Sequence, residues 1–381
     1  MKAGWVGRPF VGLFAALALC TAAVQAGAYE TAAKAAILVE YDSGQVLYAK
    51  NPDIPLPPAS MSKLMTVLMV FERLKEGRLQ LEDEFSVSEK AWRKGGSKMF
   101  VEVGKRVPVH DLLRGIIVQS GNDACIVVAE NLAGSEDAFA EQMTERAIEL
   151  GLTNTSLKNA SGWPHPEHMM SVRDLAKLAG IIISDHAEHY GIFSEREFTF
   201  AGIQQYARNP LLRRNVGADG LKTGYTDEAG YSLTASAIRD GRRLILVVAG
   251  LETPGQRARE AERLLEHGFR DFEAYELFHA GQMVDSADVW LGDQESLPLI
   301  VEDSVVLAMT PDARRDLEVK VIYEGPIPAP VARGAQLGEL EISAPGIEPR
   351  RVALVAGEEI QEVGLLGRMS SAIGYLIWGG S

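Results

Sequence analysis

The spacing of hydrophobic positions divides this chain into stretches of different kinds. Residues 10–23 form an almost unbroken apolar run. Ala36–Tyr41 and Gln45–Tyr48 read as strands on either side of Asp42-Ser43-Gly44, a hairpin whose turn takes its positive φ from Gly44. Leu64–Phe71 is again nearly continuous, now behind Pro58, a residue suited to the entry of a helix. A helix apolar all round is buried all round, and this one is expected to run to about Lys75 with Gly77 as its stop. Val109–Val118, Asp123–Leu132, Ala138–Leu150 and Val172–Ile183 carry helical spacing, with Ser120-Gly121-Asn122 at the junction of the first two. The chain then turns β-rich. Gly220–Gly224, Tyr231–Ala237 and Leu244–Ala249 read as strands, and Asp240-Gly241 is a strong hairpin signal between the last two. Glu260–Phe269 returns to helical spacing.

From about Glu276 short strands such as Val305–Ala308, Leu317–Tyr323 and Leu337–Ile342 alternate with Pro- and Gly-rich turns. The pattern predicts an α+β domain, an antiparallel sheet closed by strands from both its ends with helices on its faces, followed by a small all-β domain. In Gly364–Trp378 the apolar residues Leu365, Leu366, Met369, Ile373, Leu376 and Ile377 fall within an arc of roughly 120°. That segment reads as an amphipathic helix lying on a membrane surface, or docked on the protein's own β domain.

Composition adds bounds. The 381 residues are 46% hydrophobic and 24% charged, as in an ordinary globular protein of about two domains. The net charge of −14 comes with no run of basic residues, which excludes nucleic acid as a partner and electrostatic attraction to anionic lipid. Lys2 and Arg8 precede the first apolar run, and small residues follow it. This predicts a secretory signal peptide over 1–28, cut after Ala26 or Ala28; an N-terminal anchor is the alternative. Cleavage leaves Cys125 as the only thiol, so the exported chain has no internal disulfide. The expected division is a signal peptide at 1–28, the α+β domain at 29–275, a β-sandwich at 276–360 and a membrane-associating tail at 361–381. The leader and the tail together predict an exported protein attached peripherally to a membrane.

Candidate chemistry begins with Ser60 and Lys63, three residues apart at a helix N-terminus and close enough to touch. A hydroxyl beside a buried amine makes an oxygen nucleophile without histidine. Ser-x-x-Lys alone carries little information, but Ser60-Met61-Ser62-Lys63, Ser120-Gly121-Asn122 and Lys222-Thr223-Gly224 occur in order on a helix, an inter-helix loop and a strand. The paired histidines, His165 with His168 and His186 with His189, lack a third ligand, so neither a metal nor a cofactor is expected.

With these motifs the chain resembles the bacterial D-alanyl-D-alanine carboxypeptidases, the low-molecular-mass penicillin-binding proteins, whose transpeptidase domain is β-lactamase-like. Ile37–Gly44, Ser120–Cys125, Lys222–Tyr231 and Pro330–Gly334 with Leu337-Gly338 extend the resemblance from about Ala36 to the end. It implies a serine enzyme that removes the terminal D-Ala of peptidoglycan pentapeptides through an acyl-enzyme on Ser60, and that β-lactams inhibit covalently. The backbone N–H groups of Ser60 and Tyr225 would form the oxyanion hole. Lys63, kept neutral by burial and by Lys222, would act as base. Ser120 would relay a proton and Asn122 would orient Lys63 and the substrate amide. Lys222, Thr223 and Gly224 would hold the substrate carboxylate, with Arg208 and Arg259 near it. Tyr225 stands where many relatives carry histidine. The competing readings are a β-lactamase, for which Glu167 is the available glutamate, and a non-catalytic penicillin sensor or scaffold.

Overall fold

The computed structural model describes residues 29–345 and 347–364. The signal-peptide expectation and the amphipathic segment from Leu365 onward lie outside the described residues. No helix among the described residues is long and apolar enough to cross a membrane.

The expected sheet is present. Its spatial order is Val46–Lys50, Ala35–Glu40, Arg242–Leu251, Gly230–Arg239, Ala218–Thr226, all antiparallel. The N-terminal hairpin therefore pairs with the last strand of the domain, Ala36 opposite Val248 and Leu38 opposite Leu246. Both turns follow the sequence signals. Gly44 has φ +67°, and Asp240 and Gly241 have φ +53° and +81°, the left-handed pair that a two-residue hairpin needs. Ala218–Thr226, which carries the Lys-Thr-Gly motif, is an edge strand. Its outer edge is thus available to a ligand.

The helix Lys63–Lys75 lies at the centre of the first core, with every residue from Lys63 to Phe71 buried. The helices Val109–Ile117, Asn122–Ala133, Glu136–Glu149 and Val172–Asp185 surround it. Ser135 and Ser171 cap the last two, each accepting a backbone N–H three residues on. The final helix of the domain starts earlier than its spacing suggests. It spans Pro254–Asp271 because Thr253 caps it and Pro254 fits its first turn. A short hairpin, Glu197–Phe200 with Ile203–Tyr206, was not legible in the pattern.

The β module begins at Glu273, three residues before the expected boundary, and has its own core around Leu297, Leu299, Leu307, Leu340 and Leu354. Six strands form one sheet and Glu273–Phe278 pairs with Val305–Met309 in another, with a one-and-a-half-turn helix, Pro311–Arg315, between strands. Gln361–Val363 still belong to this module. Glu362 bridges to Gly292 and the Val363 amide donates to the Leu291 carbonyl, so a separate tail begins no earlier than Gly364.

From Thr31 onward the described residues form one compact unit. A buried joint connects the N-terminal hairpin to the two-stranded sheet of the β module. The Gln45 side chain donates to the Ala308 carbonyl at 2.7 Å and accepts from the Ala308 amide at 2.8 Å, imitating a strand neighbour. At the surface Arg173 bridges Asp53 at 2.7 Å and Glu348 at 2.9 Å. Exposed pairs of this kind contribute little, whereas two buried bonds broken on one side leave unsatisfied backbone groups. Gln45→Ala is therefore expected to destabilise the protein by about 2–3 kcal/mol, read as a lower urea midpoint; an unchanged midpoint would show that the joint carries no stability.

Candidate active site

Ser60 sits on a single 3-10 turn, Ala59–Ser62, and not in the first turn of the α-helix, which starts at Lys63. Pro58 leads into the turn, and Ala59 is held at φ +48°, a left-handed conformation that non-glycine residues adopt only when their surroundings impose it. What imposes it is close packing on two sides. A Cβ on Gly162 would lie 2.0 Å from the Ala59 carbonyl oxygen, and one on Gly224 would lie 2.7 Å from the Pro58 carbonyl oxygen. Only glycine allows the backbone of the Lys-Thr-Gly strand and that of the 159–167 loop to come so near. The turn leaves Ser60 partly open and points the Lys63 side chain inward, fully buried.

The Lys63 amine has three oxygen neighbours. Ser60 Oγ and Asn122 Oδ1 are each 2.8 Å away, and the third is the backbone carbonyl of Ser161. Burial lowers its pKa to about 8, with the charges of Arg208 and Lys94 acting in the same direction. In its neutral form the amine can donate to Asn122 and Ser161 and turn its lone pair to the Ser60 hydroxyl, which is the geometry a general base needs. Desolvation is the first cause of this fall, as the expected burial requires, and Arg208 and Lys94 are the cations that add to it. Lys222 is itself held well below the usual lysine range by burial, then by the charge of Lys63. It donates to Ser120 Oγ at 2.9 Å and to the Thr223 carbonyl at 3.1 Å. Ser120 thus faces one lysine while Asn122 faces the other.

The Ser120-Gly121-Asn122 turn is fixed from behind. Ser120 has φ +68°, and the buried carboxylate of Asp123 accepts the amides of Met99, Phe100, Val101 and Ala124 at 2.9–3.2 Å. Asn122 also donates to the Gly95 carbonyl at 3.0 Å. Cys125, on the next turn, is buried in the core with its thiol pushed up to about 12, so it is chemically inert.

These groups open on a cleft of about 1040 Å³. Ser60, Ser120, Asn122, Arg208, Thr223, Gly224 and Tyr225 line it, and Lys63 and Lys222 lie buried beneath. Arg259 does not belong to it. It is exposed on the other side of its helix, and Arg257, two residues earlier, lines the cleft instead. Residues two apart on a helix point about 200° apart, so a two-residue error selects the wrong face. Arg257 lies 5.8 Å over the ring of Tyr231, which stacks on Tyr225 at 4.2 Å. The Tyr225 hydroxyl donates to Asp227 at 2.7 Å. Ser161 and Trp163 also line the cleft and were missed; Gly162 and Pro164 around them were the turn signal in the sequence. Glu167 is exposed beside Lys158 and does not line the cleft, which removes the glutamate that the β-lactamase reading required.

The family profile for D-alanyl-D-alanine carboxypeptidase matches residues 21–253, and that for the C-terminal domain of penicillin-binding protein 5 matches residues 272–362. The chain is 36% identical over 373 residues to D-alanyl-D-alanine carboxypeptidase DacA of Escherichia coli K12, covering 92% of this chain and 93% of the relative. Among solved structures it is similar to penicillin-binding protein 5 from Haemophilus influenzae (TM-score 0.76, 34% identity, 88% of this chain and 99% of that one). It is also similar to penicillin-binding protein D2 from Listeria monocytogenes in its ampicillin-bound form (TM-score 0.59, 31% identity, 64% and 100%).

Two outcomes are expected. Covalent labelling of Ser60 by a penicillin requires neutral Lys63, so its second-order rate rises about tenfold per pH unit below about 8 and levels off above. A rate that is flat from pH 6 to 10 would show that this amine is not the base. Arg257→Ala raises KM for a peptide ending in a carboxylate by about tenfold or more, the loss of one charge-assisted bond. Arg259→Ala leaves KM within about twofold, as for a solvated surface charge; the reverse ranking would restore Arg259 to the site.

Proposed function

The chain belongs to the D-alanyl-D-alanine carboxypeptidase family of penicillin-binding proteins and is a serine-type enzyme of that kind; from that premise we propose how its residues divide the reaction. The observation that carries the proposal is the 2.8 Å contact between a buried, low-pKa amine and the one serine hydroxyl that opens from it into the cleft.

Lys63 takes the proton of Ser60 as Oγ attacks the carbonyl of the penultimate D-Ala. The backbone N–H groups of Ser60 and Tyr225 receive the oxyanion. Ser120, held by Lys222, relays that proton from Lys63 to the nitrogen of the departing D-Ala, and the C–N bond breaks to leave an ester on Ser60 and a neutral Lys63. Water then attacks the ester, with Lys63 as base for that step too, and the shortened stem leaves. Thr223, Arg208, Arg257 and Lys222 hold the terminal carboxylate. In this reading Lys222, depressed in the empty site, gains its proton as the anionic substrate enters, because an opposite charge favours the ammonium form. Asn122 keeps Lys63 aimed and receives the substrate amide.

A β-lactam presents a strained amide to the same serine, and ring opening leaves no small fragment to diffuse away, so the ester persists. Binding of ampicillin by the Listeria relative supports this extension. The natural substrate is the pentapeptide stem of peptidoglycan, which places the enzyme outside the cytoplasmic membrane. The leader at 1–28 and an amphipathic tail after Gly364 belong to that reading, with the tail resting on the membrane surface. No cofactor or metal takes part in the steps.

Ser60→Ala is expected to lose D-Ala release from a D-Ala-D-Ala peptide by at least about a thousandfold, since the nucleophile is the reacting atom. It should also lose all labelling by a fluorescent penicillin, with an unaltered circular dichroism spectrum. Mass spectrometry of the peptide before and after incubation reads the first outcome directly. Labelling that survives the substitution would overturn the assignment of Ser60, and labelling without peptide turnover in the wild type would favour a sensor.

A further inference from the structure

One of the three oxygen neighbours of Lys63 comes from a segment outside the three motifs. The Ser161 carbonyl stands on a loop, 159–167, that is organised from its own residues. The Asn159 side chain accepts the amides of Ser161 at 3.1 Å and Trp163 at 2.9 Å, and it donates to the Trp163 carbonyl at 2.9 Å. Thr66, on the nucleophile helix, donates to the Ala160 carbonyl at 2.7 Å. The base of the loop is closed by backbone pairs, Ser156 with Met169 at 2.9 Å and Leu56 with Met170 at 3.0 Å. The second of these pairs is four residues from Ser60.

Between base and tip the neck is joined by a side chain. His168 Nδ1 accepts the Lys158 amide hydrogen at 3.0 Å, and the ring is 2% exposed. Its Nε2 has no protein hydrogen-bond partner among the described residues. The bond fixes the tautomer: a nitrogen that accepts is unprotonated, so the ring proton is on Nε2. A second proton would have to go to Nδ1 and meet the Lys158 N–H head-on.

We propose that His168 is a positioning residue for Lys63: its neutral imidazole closes the neck of the 159–167 loop and so holds the Ser161 carbonyl on the catalytic amine. The proposal rests on the acyl-enzyme reading above. Burial, with the nearby charges of Lys63 and His165, pushes the ring down to about 4, so it remains an acceptor wherever Lys63 can lose its proton. Without the staple the loop relaxes from its neck. Lys63 then keeps Asn122 but loses the carbonyl that fixes its second N–H, and the lone pair is no longer steered to Ser60 Oγ. A displacement of about 1 Å at such a group costs on the order of a hundredfold in rate.

The test uses the full chain, with a fluorescent penicillin to measure acylation and a D-Ala-D-Ala peptide to measure kcat and KM. His168→Asn places an amide oxygen where Nδ1 was and should keep acylation within about fivefold of wild type. His168→Leu removes the acceptor and should lose acylation and kcat by about 10- to 100-fold, with KM within about threefold. His168→Gln puts its oxygen at the Nε2 position instead. It should fall with leucine, and it decides the matter if the leucine variant does not fold. Asparagine and glutamine variants that are equally active or equally impaired would overturn the proposal, as would full activity in His168→Leu. A wild type that takes no label would overturn the acyl-enzyme reading itself.

Discussion

Taking an ammonium group out of water costs several kcal/mol unless other groups replace the water, and the site is arranged around one such group, the Lys63 amine. The amine lies fully buried at the start of a nine-residue buried helix segment, and its oxygen neighbours come from three separate segments: the nucleophile turn, the Asn122 junction and the Ser161 loop. A fall from 10.5 to about 8 corresponds to roughly 3 kcal/mol of bias towards the neutral amine. That bias is a stability term as well. The unfolded chain binds the proton more readily between pH 8 and 10.5, so this term works against folding most below that window and fades as pH rises through it. The rest of the catalytic domain must supply the difference, which accounts for the depth of apolar packing around a helix that begins with a lysine.

The same constraint separates two residues of one type. Lys63 and Lys222 are both buried, and the charge of one disfavours the charge of the other. Each is given a different hydroxyl, Ser60 for the first and Ser120 for the second. In the proposed reaction this pair of buried amines serves both halves of an acyl transfer, one beside the nucleophile and one beside the hydroxyl that serves the leaving group. The edge position of the Lys-Thr-Gly strand completes the division, because a substrate laid along that edge meets both hydroxyls.

Much of this was legible in the sequence because the decisive features are local. The apolar run behind Pro58, the Asp240-Gly241 turn and the three motifs each report a backbone geometry that neighbouring residues enforce. What escaped has physical reasons. A 3-10 turn and the first turn of an α-helix share the same residues, so the setting of Ser60 had to be seen. Arg259 came from the resemblance by position and not from the helical pattern, and an offset of two residues along a helix carries a guanidinium to the opposite face. The Ser161 carbonyl is main chain, and main-chain ligands leave no mark in the residue type. The Gln45–Ala308 joint spans 263 residues and reports nothing until the N-terminal hairpin and the β module meet.

The nucleophile turn is hemmed by two foreign backbones, at Gly162 and at Gly224, with no room for a single added methyl on either. This makes the evolutionary freedom of the enzyme directional. A lineage exposed to bulky covalent inhibitors cannot widen or reshape the turn by ordinary substitution, since any side chain at those glycines displaces the attacking oxygen as well. Variation is left to the rim, where Tyr225 and Trp163 stand half in solvent. Resistance and substrate range would then be adjusted through the same few exposed aromatic positions, and histories of the two traits in related enzymes should be hard to separate.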